Sequence, residues 1–142
     1  MPVKTADAVW NGTLTEGKGT LSSPSKRVDG EYTWKSRAED GAPGVSPEEL
    51  IAAAHAGCFS MALSHILTSA GFPPTQIKTN AKVSFEKQGD GFAITGIALS
   101  TQAQVPNLDA AGFQKHAEAA KGGCPVSKAL ASVKITLDAK LV

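Results

Sequence analysis

A chain of 142 residues, 42% apolar and 19% charged, has the size and composition of one globular domain with its own core, spanning 1–142. Its formal net charge of +1, with no long basic run, argues against nucleic-acid binding through phosphate neutralisation. The opening Met1-Pro2-Val3-Lys4-Thr5-Ala6-Asp7 lacks the apolar core of a secretory signal. The longest apolar stretch, Leu50 to Leu67, is broken by His55, Ser60, Ser64 and His65 and reads as a poor membrane span. A reducing cytoplasmic setting is the expectation.

Ala8, Trp10, Gly12 and Leu14 alternate with more polar neighbours, which predicts a strand, and Glu16-Gly17-Lys18-Gly19 predicts a turn. Tyr32-Thr33-Trp34-Lys35 predicts another strand leading to Arg37, and Asp40-Gly41-Ala42-Pro43-Gly44 a loop. Ser46-Pro47-Glu48-Glu49 has the spacing of a capping box. Ser46 is the expected N-cap, Pro47 sits in the first turn, and Glu49 reaches back. Two carboxylates also suit the positive end of the helix dipole. The helix runs to about Ala70, where Gly71 and Pro73-Pro74 stop it. It is apolar on nearly every side and is expected to be central and buried.

Beyond it, Ile77, Thr79, Ala81, Val83 and Phe85 face one way and their polar neighbours the other. Gln88-Gly89-Asp90-Gly91 then predicts a hairpin turn, and Phe92 to Thr101 returns. Asn107 or Asp109 is placed to cap a second helix carrying Leu108, Phe113 and Ala117, ended by Gly122-Gly123. Pro125 opens a short third helix, and Val133 to Leu141 alternates as a last strand. The pattern is α+β, mostly antiparallel sheet around a long buried central helix.

Two cysteines lie 66 positions apart. In a reducing compartment they are either inert core thiols or a redox pair, not a structural disulfide. Cys58 sits mid-helix, with no Lys or Arg within one turn, so a thiolate there needs a cation from elsewhere. Gly122-Gly123-Cys124-Pro125 puts the second thiol beside a helix start, where free backbone N–H groups favour the thiolate. His55, three residues before Cys58, shares its helix face. It reads as a base, as part of a metal site, or as an ordinary hydrogen-bonded core histidine. The absence of a tight ligand pair disfavours structural zinc. His65 and His116 read as ordinary helix residues. No dinucleotide fingerprint, P-loop or serine-hydrolase elbow is present.

Two motifs carry a resemblance. Pro47-Glu48-Glu49-Leu50-Ile51-Ala52-Ala53-Ala54-His55-Ala56-Gly57-Cys58-Phe59-Ser60-Met61-Ala62-Leu63 and Gly123-Cys124-Pro125-Val126-Ser127 resemble the OsmC/Ohr peroxidases (osmotically induced protein C and organic hydroperoxide resistance proteins). His55 and Met61-Ala62-Leu63-Ser64 resemble the OsmC branch. The resemblance covers essentially the whole chain. It implies dithiol-dependent reduction of hydroperoxides, organic ones above hydrogen peroxide, by an intertwined homodimer with sites at its interface. It also implies that Cys58 attacks, that Cys124 resolves, and that an Arg–Glu pair supports Cys58. The Glu lands on Glu48 rather than Glu49, and the Arg on Arg37, with Arg27 the weaker candidate.

These implied roles agree with thiol chemistry. Arg37 would supply the missing cation, and Glu48 would hold its guanidinium bidentately. Cys58 would pass through a sulfenic acid to a Cys58–Cys124 disulfide, reopened by an external dithiol, of lipoyl type by resemblance. No bound cofactor is implied. Apolar Ile51, Phe59 and Met61 near Cys58 suit an alkyl tail. The competing reading is a non-catalytic binding protein for small apolar ligands, with inert thiols.

Overall fold

Residues 1–142, all described by the computed structural model, divide into two units, Met1–Leu50 and Ile51–Val142. The first holds an antiparallel sheet in the order β1 (Asp7–Asn11), β2 (Lys18–Ser22), β3 (Asp29–Tyr32). Its centre requires glycine. A Cβ on Gly19 would collide with the Val9 carbonyl oxygen and with the Trp10 and Tyr32 rings. Those rings pack with centroids 5.2 Å apart. The expected turn at Glu16–Gly19 is thus shorter, because Lys18 and Gly19 already belong to β2.

The strand expected over Tyr32–Lys35 ends at Tyr32. Thr33 instead caps a short helix, α1 (Trp34–Ala38). Its hydroxyl accepts the Ser36 N–H at 3.0 Å, and its own N–H donates to Ser36 Oγ at 2.9 Å. This reciprocal cap, with Ser in the place of the usual Glu, outweighs the local strand preference of Tyr, Thr and Trp.

The second unit pairs β4 (Gln76–Gln88) with β5 (Gly91–Gln104) as a hairpin, and β6 (Lys134–Leu141) lies parallel to β5. Gly89 takes φ +57° in the hairpin turn, a conformation glycine adopts without steric cost. The parallel β5–β6 pair needs a crossover, supplied by α3 (Ala110–Gly123) and α4 (Pro125–Ala129). Of the two predicted caps, Asp109 serves α3, its carboxylate accepting the Gly112 N–H at 2.7 Å.

The long helix α2 spans Pro47–Ser69. Its residues His55, Phe59, Leu63 and Leu67 are fully buried, a stripe at four-residue spacing. Phe59, Leu63 and Leu67 join Ile97 and Leu99 of β5 and Phe113 and Ala117 of α3 in one core. Met61, on another side of α2, is 76% exposed. With a mean hydropathy of 1.6, α2 is long and apolar enough to cross a membrane, and only 22% of that apolar stretch is buried within the chain. The single chain therefore buries one stripe of the helix expected to be buried all round, since packing on one side covers one face.

Candidate active site

Arg37 and Glu48 belong to the first unit. Arg37 lies in the last turn of α1 and Glu48 in the first turn of α2. Arg37 Nε donates to both Glu48 oxygens, at 3.0 Å and 3.3 Å, and Nη2 to Oε1 at 2.9 Å. The Glu48 side chain is only 7% exposed and that of Arg37 38%, so the carboxylate is held by the guanidinium rather than by water. Ser46 Oγ adds a third donor, 3.1 Å from Oε2. The Ser46 hydroxyl thus serves the Glu48 carboxylate rather than the expected capping box, and Glu49 is exposed. Trp10, Leu14, Tyr32, Trp34 and Pro47 line a cavity with Arg37, an apolar wall beside a cation. Arg27 is exposed in the turn after β2.

The two cysteines belong to the second unit, Cys58 half-buried and Cys124 buried. Cys124 ends α3 and begins α4: its N–H donates to Ala120 O at 2.9 Å, and its carbonyl accepts from Lys128 N at 3.0 Å. The fold brings this buried thiol within hydrogen-bonding reach of Cys58 on α2. Burial, and then the bond to Cys124, push Cys58 above the ordinary thiol value, against a weaker pull from the Val126 N–H. Burial alone would raise Cys124 as well. Bonds from Cys58, from the N–H and hydroxyl of Ser127 and from the Val126 N–H outweigh it and lower Cys124. Within one unit the thiolate is therefore favoured on Cys124 over Cys58.

His55 is fully buried, with Nε2 2.7 Å from Ser127 Oγ and no partner for Nδ1. Burial holds it below its ordinary value, so it is neutral at pH 7. No group of three or more His, Cys, Asp or Glu side chains is arranged to hold a metal ion. Ser127, which joins His55 to Cys124, was not singled out by sequence. Its one signal is the spacing Cys124-Pro125-Val126-Ser127, which puts Ser127 at the third position of a helix that Cys124 opens. Two thiols in contact, one favoured as thiolate, can carry reversible dithiol–disulfide chemistry.

An α+β fold that brings two sequence-distant thiols together has the arrangement of a dithiol site, and comparison with known proteins gives its family. The family model described as OsmC-like protein matches residues 38–138. Peroxiredoxin OsmC of Escherichia coli (strain K12) is 50% identical over 139 residues, covering 97% of this chain and 96% of that protein. Organic hydroperoxide resistance protein OhrB of Bacillus subtilis (strain 168) is 28% identical over 124 residues, 86% of this chain and 89% of that one. The crystal structure of Bacillus subtilis OhrB superposes with a TM-score of 0.75 at 30% identity, covering 95% of this chain and 97% of that one. An OsmC-like protein from Mycoplasma pneumoniae has the same TM-score at 17% identity, covering 99% of this chain and 98% of that one. The chain belongs to the OsmC family, and its α+β fold is OsmC-like.

Proposed function

We propose that this chain is a two-cysteine peroxidase acting on organic hydroperoxides, with Cys58 as attacking thiol and Cys124 as resolving thiol. Half identity over nearly all of both chains to a protein named peroxiredoxin OsmC makes it a peroxiredoxin-type hydroperoxide reductase. The finer reading rests on one observation above others: two thiols 66 residues apart in sequence share a hydrogen bond.

The Cys58 thiolate attacks the terminal oxygen of the hydroperoxide. The O–O bond breaks, the alcohol leaves with a proton, and Cys58 becomes a sulfenic acid. The Cys124 sulfur then forms the S–S bond, and the S–O bond breaks to release water. An external dithiol, lipoyl-type in this proposal, reduces the disulfide by exchange. No bound cofactor enters. The aromatic cavity beside Arg37 suits an organic tail, which hydrogen peroxide lacks.

Thiolate formation at Cys58 needs a cation, and Arg37 with Glu48 is the proposed source. Helix α2 is unbroken from Pro47 to Ser69, so the ten residues from Glu48 to Cys58 rise about 15 Å, beyond a Glu side chain. The proposed site therefore combines Cys58 and Cys124 of one subunit with Arg37 and Glu48 of a second, in a homodimer. The apolar α2 surface around exposed Met61 supports this reading, because a second copy would cover it. The chain is proposed as one OsmC-like domain acting in the cytoplasm.

The test is thiol counting. Reduced protein treated with an organic hydroperoxide should lose both thiols stoichiometrically and gain a Cys58–Cys124 disulfide, seen by mass spectrometry. Thiols that survive the peroxide would favour the apolar-ligand binding protein instead.

A further inference from the structure

Behind the thiol pair lies a buried polar contact that the reaction above leaves unused. His55 comes from α2 and Ser127 from α4, 72 residues apart in sequence. His55 is fully buried and Ser127 is 5% exposed. Their 2.7 Å contact is at the short end of the hydrogen-bond range. The other ring nitrogen, Nδ1, is buried without a partner. An orphaned nitrogen carries a desolvation cost that a Leu or Phe at this position would avoid. The useful part of the ring is therefore Nε2.

The tautomer follows from the surroundings. A neutral imidazole has one N–H, and Ser127 has one hydroxyl proton to offer two neighbours, His55 Nε2 and the Cys124 sulfur. Were Nε2 bare, the hydroxyl would turn toward the ring and away from the sulfur. With the proton on Nε2, the ring donates to Ser127 Oγ and the hydroxyl proton is free to point at Cys124. This second arrangement matches the action of the Ser127 hydroxyl in favouring the thiolate.

We propose that His55 is a positioning residue for disulfide formation, fixing the Ser127 hydroxyl so that its proton lies on the Cys124 sulfur. The role in turnover rests on the peroxidase reading, whereas the network itself belongs to the resting protein. The polar groups acting on Cys124 are Cys58 from α2 and Val126 and Ser127 from α4. None of these carries a fixed charge. Lys121 of α3 pairs with Glu118 at 3.2 Å, and Lys128 of α4 is exposed. In the resolving step the Cys124 electron pair makes the S–S bond, the Cys58 S–O bond breaks, and the hydroxide takes a proton to leave as water. His55 holds its proton throughout and acts only through Ser127.

The experiment titrates Cys124 in a Cys58→Ser background, by the pH dependence of alkylation and by thiolate absorbance. Ser127→Ala should raise the Cys124 pKa by about one unit, the effect of one hydrogen bond to a charged group. His55→Phe should shift it the same way, and His55→Gln, which keeps an N–H for Ser127, should lie nearer the parent. With both cysteines present, Ser127→Ala should slow disulfide formation by about threefold, the smaller thiolate fraction being partly offset by a more nucleophilic sulfur. An unshifted Cys124 in folded Ser127→Ala would overturn the proposal even if the His55 variants misfold, and an unshifted Cys124 in folded His55→Phe would overturn the role of His55. Failure of the parent protein to react with peroxide would sink the peroxidase reading, and the titration would still judge the network.

Discussion

Glu48 Oε1 takes two hydrogen bonds from the Arg37 guanidinium, at 3.0 Å from Nε and 2.9 Å from Nη2. The second oxygen accepts the Ser46 hydroxyl at 3.1 Å. The cation is thereby fixed in orientation as well as in place, as a flexible ammonium would not be.

Arg37→Ala should slow peroxide consumption by about 10²–10³, the effect typical of losing a preorganised electrostatic donor. Arg37→Lys should recover only part, because it keeps the charge but not the fork. The pH profile of Cys58 alkylation is the second readout, and an unchanged profile in Arg37→Ala would remove Arg37 from the site. Stability should also fall, by about 1–3 kcal/mol in denaturant unfolding. That figure is below the usual cost of stranding a buried charge because water reaches the pair through the half-exposed arginine.

Cys58→Ser should abolish turnover. Cys124→Ser should still consume one equivalent of peroxide, accumulate a sulfenic acid that a dimedone-type probe traps, and over-oxidise at higher peroxide. The opposite pattern, with Cys58→Ser reactive and Cys124→Ser inert, would reverse the two roles. That outcome has a physical route, since within one unit the donors around Cys124 favour its thiolate over that of Cys58.

Mixing inactive Cys58→Ser with inactive Glu48→Ala under conditions of subunit exchange should restore activity. A composite dimer puts both lesions into one site and leaves the other whole. Exchange proven by mass, with no recovery, would mean that each subunit builds its own site.

The burial of His55 sets a pH dependence of stability. Its pKa in the folded state lies below the ordinary 6.5, so the unfolded chain binds a proton that the folded one refuses. Stability should be level above about pH 6.5, fall as pH drops from there toward the lower folded-state pKa, by at most about 1.4 kcal/mol per unit for one group, and level off below it. Urea unfolding across this range should show the slope in the parent and lose it in His55→Gln.

Much of the secondary structure was legible because it is written in local patterns. The two-residue alternation from Ile77 to Phe85 and from Val133 to Leu141 is the register seen in β4 and β6. Asp109 and Gly71-Phe72-Pro73 mark helix ends by their own backbone chemistry. The misreading at Tyr32–Lys35 arose because aromatic and β-branched residues favour strands, while the opposing Thr33–Ser36 cap uses a Ser that also suits loops. The strand β2 was missed because Gly19 and Lys18 look like turn residues, and what makes Gly19 a strand position is the Trp10–Tyr32 ring pair across it.

The sequence by itself determined the α+β class, the position of the long helix, the two cysteine motifs and the family resemblance, since residue type and short spacing carry all of these. Only the tertiary structure decided that Cys58 meets Cys124, that His55 reaches Ser127 and that the Ser46 hydroxyl turns to Glu48. It also decided which thiol of the pair is the more favoured as thiolate in a single chain. Contacts between residues 66 and 72 positions apart depend on how the β5–α3–α4–β6 crossover returns the chain against α2. A pKa depends on which donors that return brings to the sulfur, and no local pattern of residues encodes it.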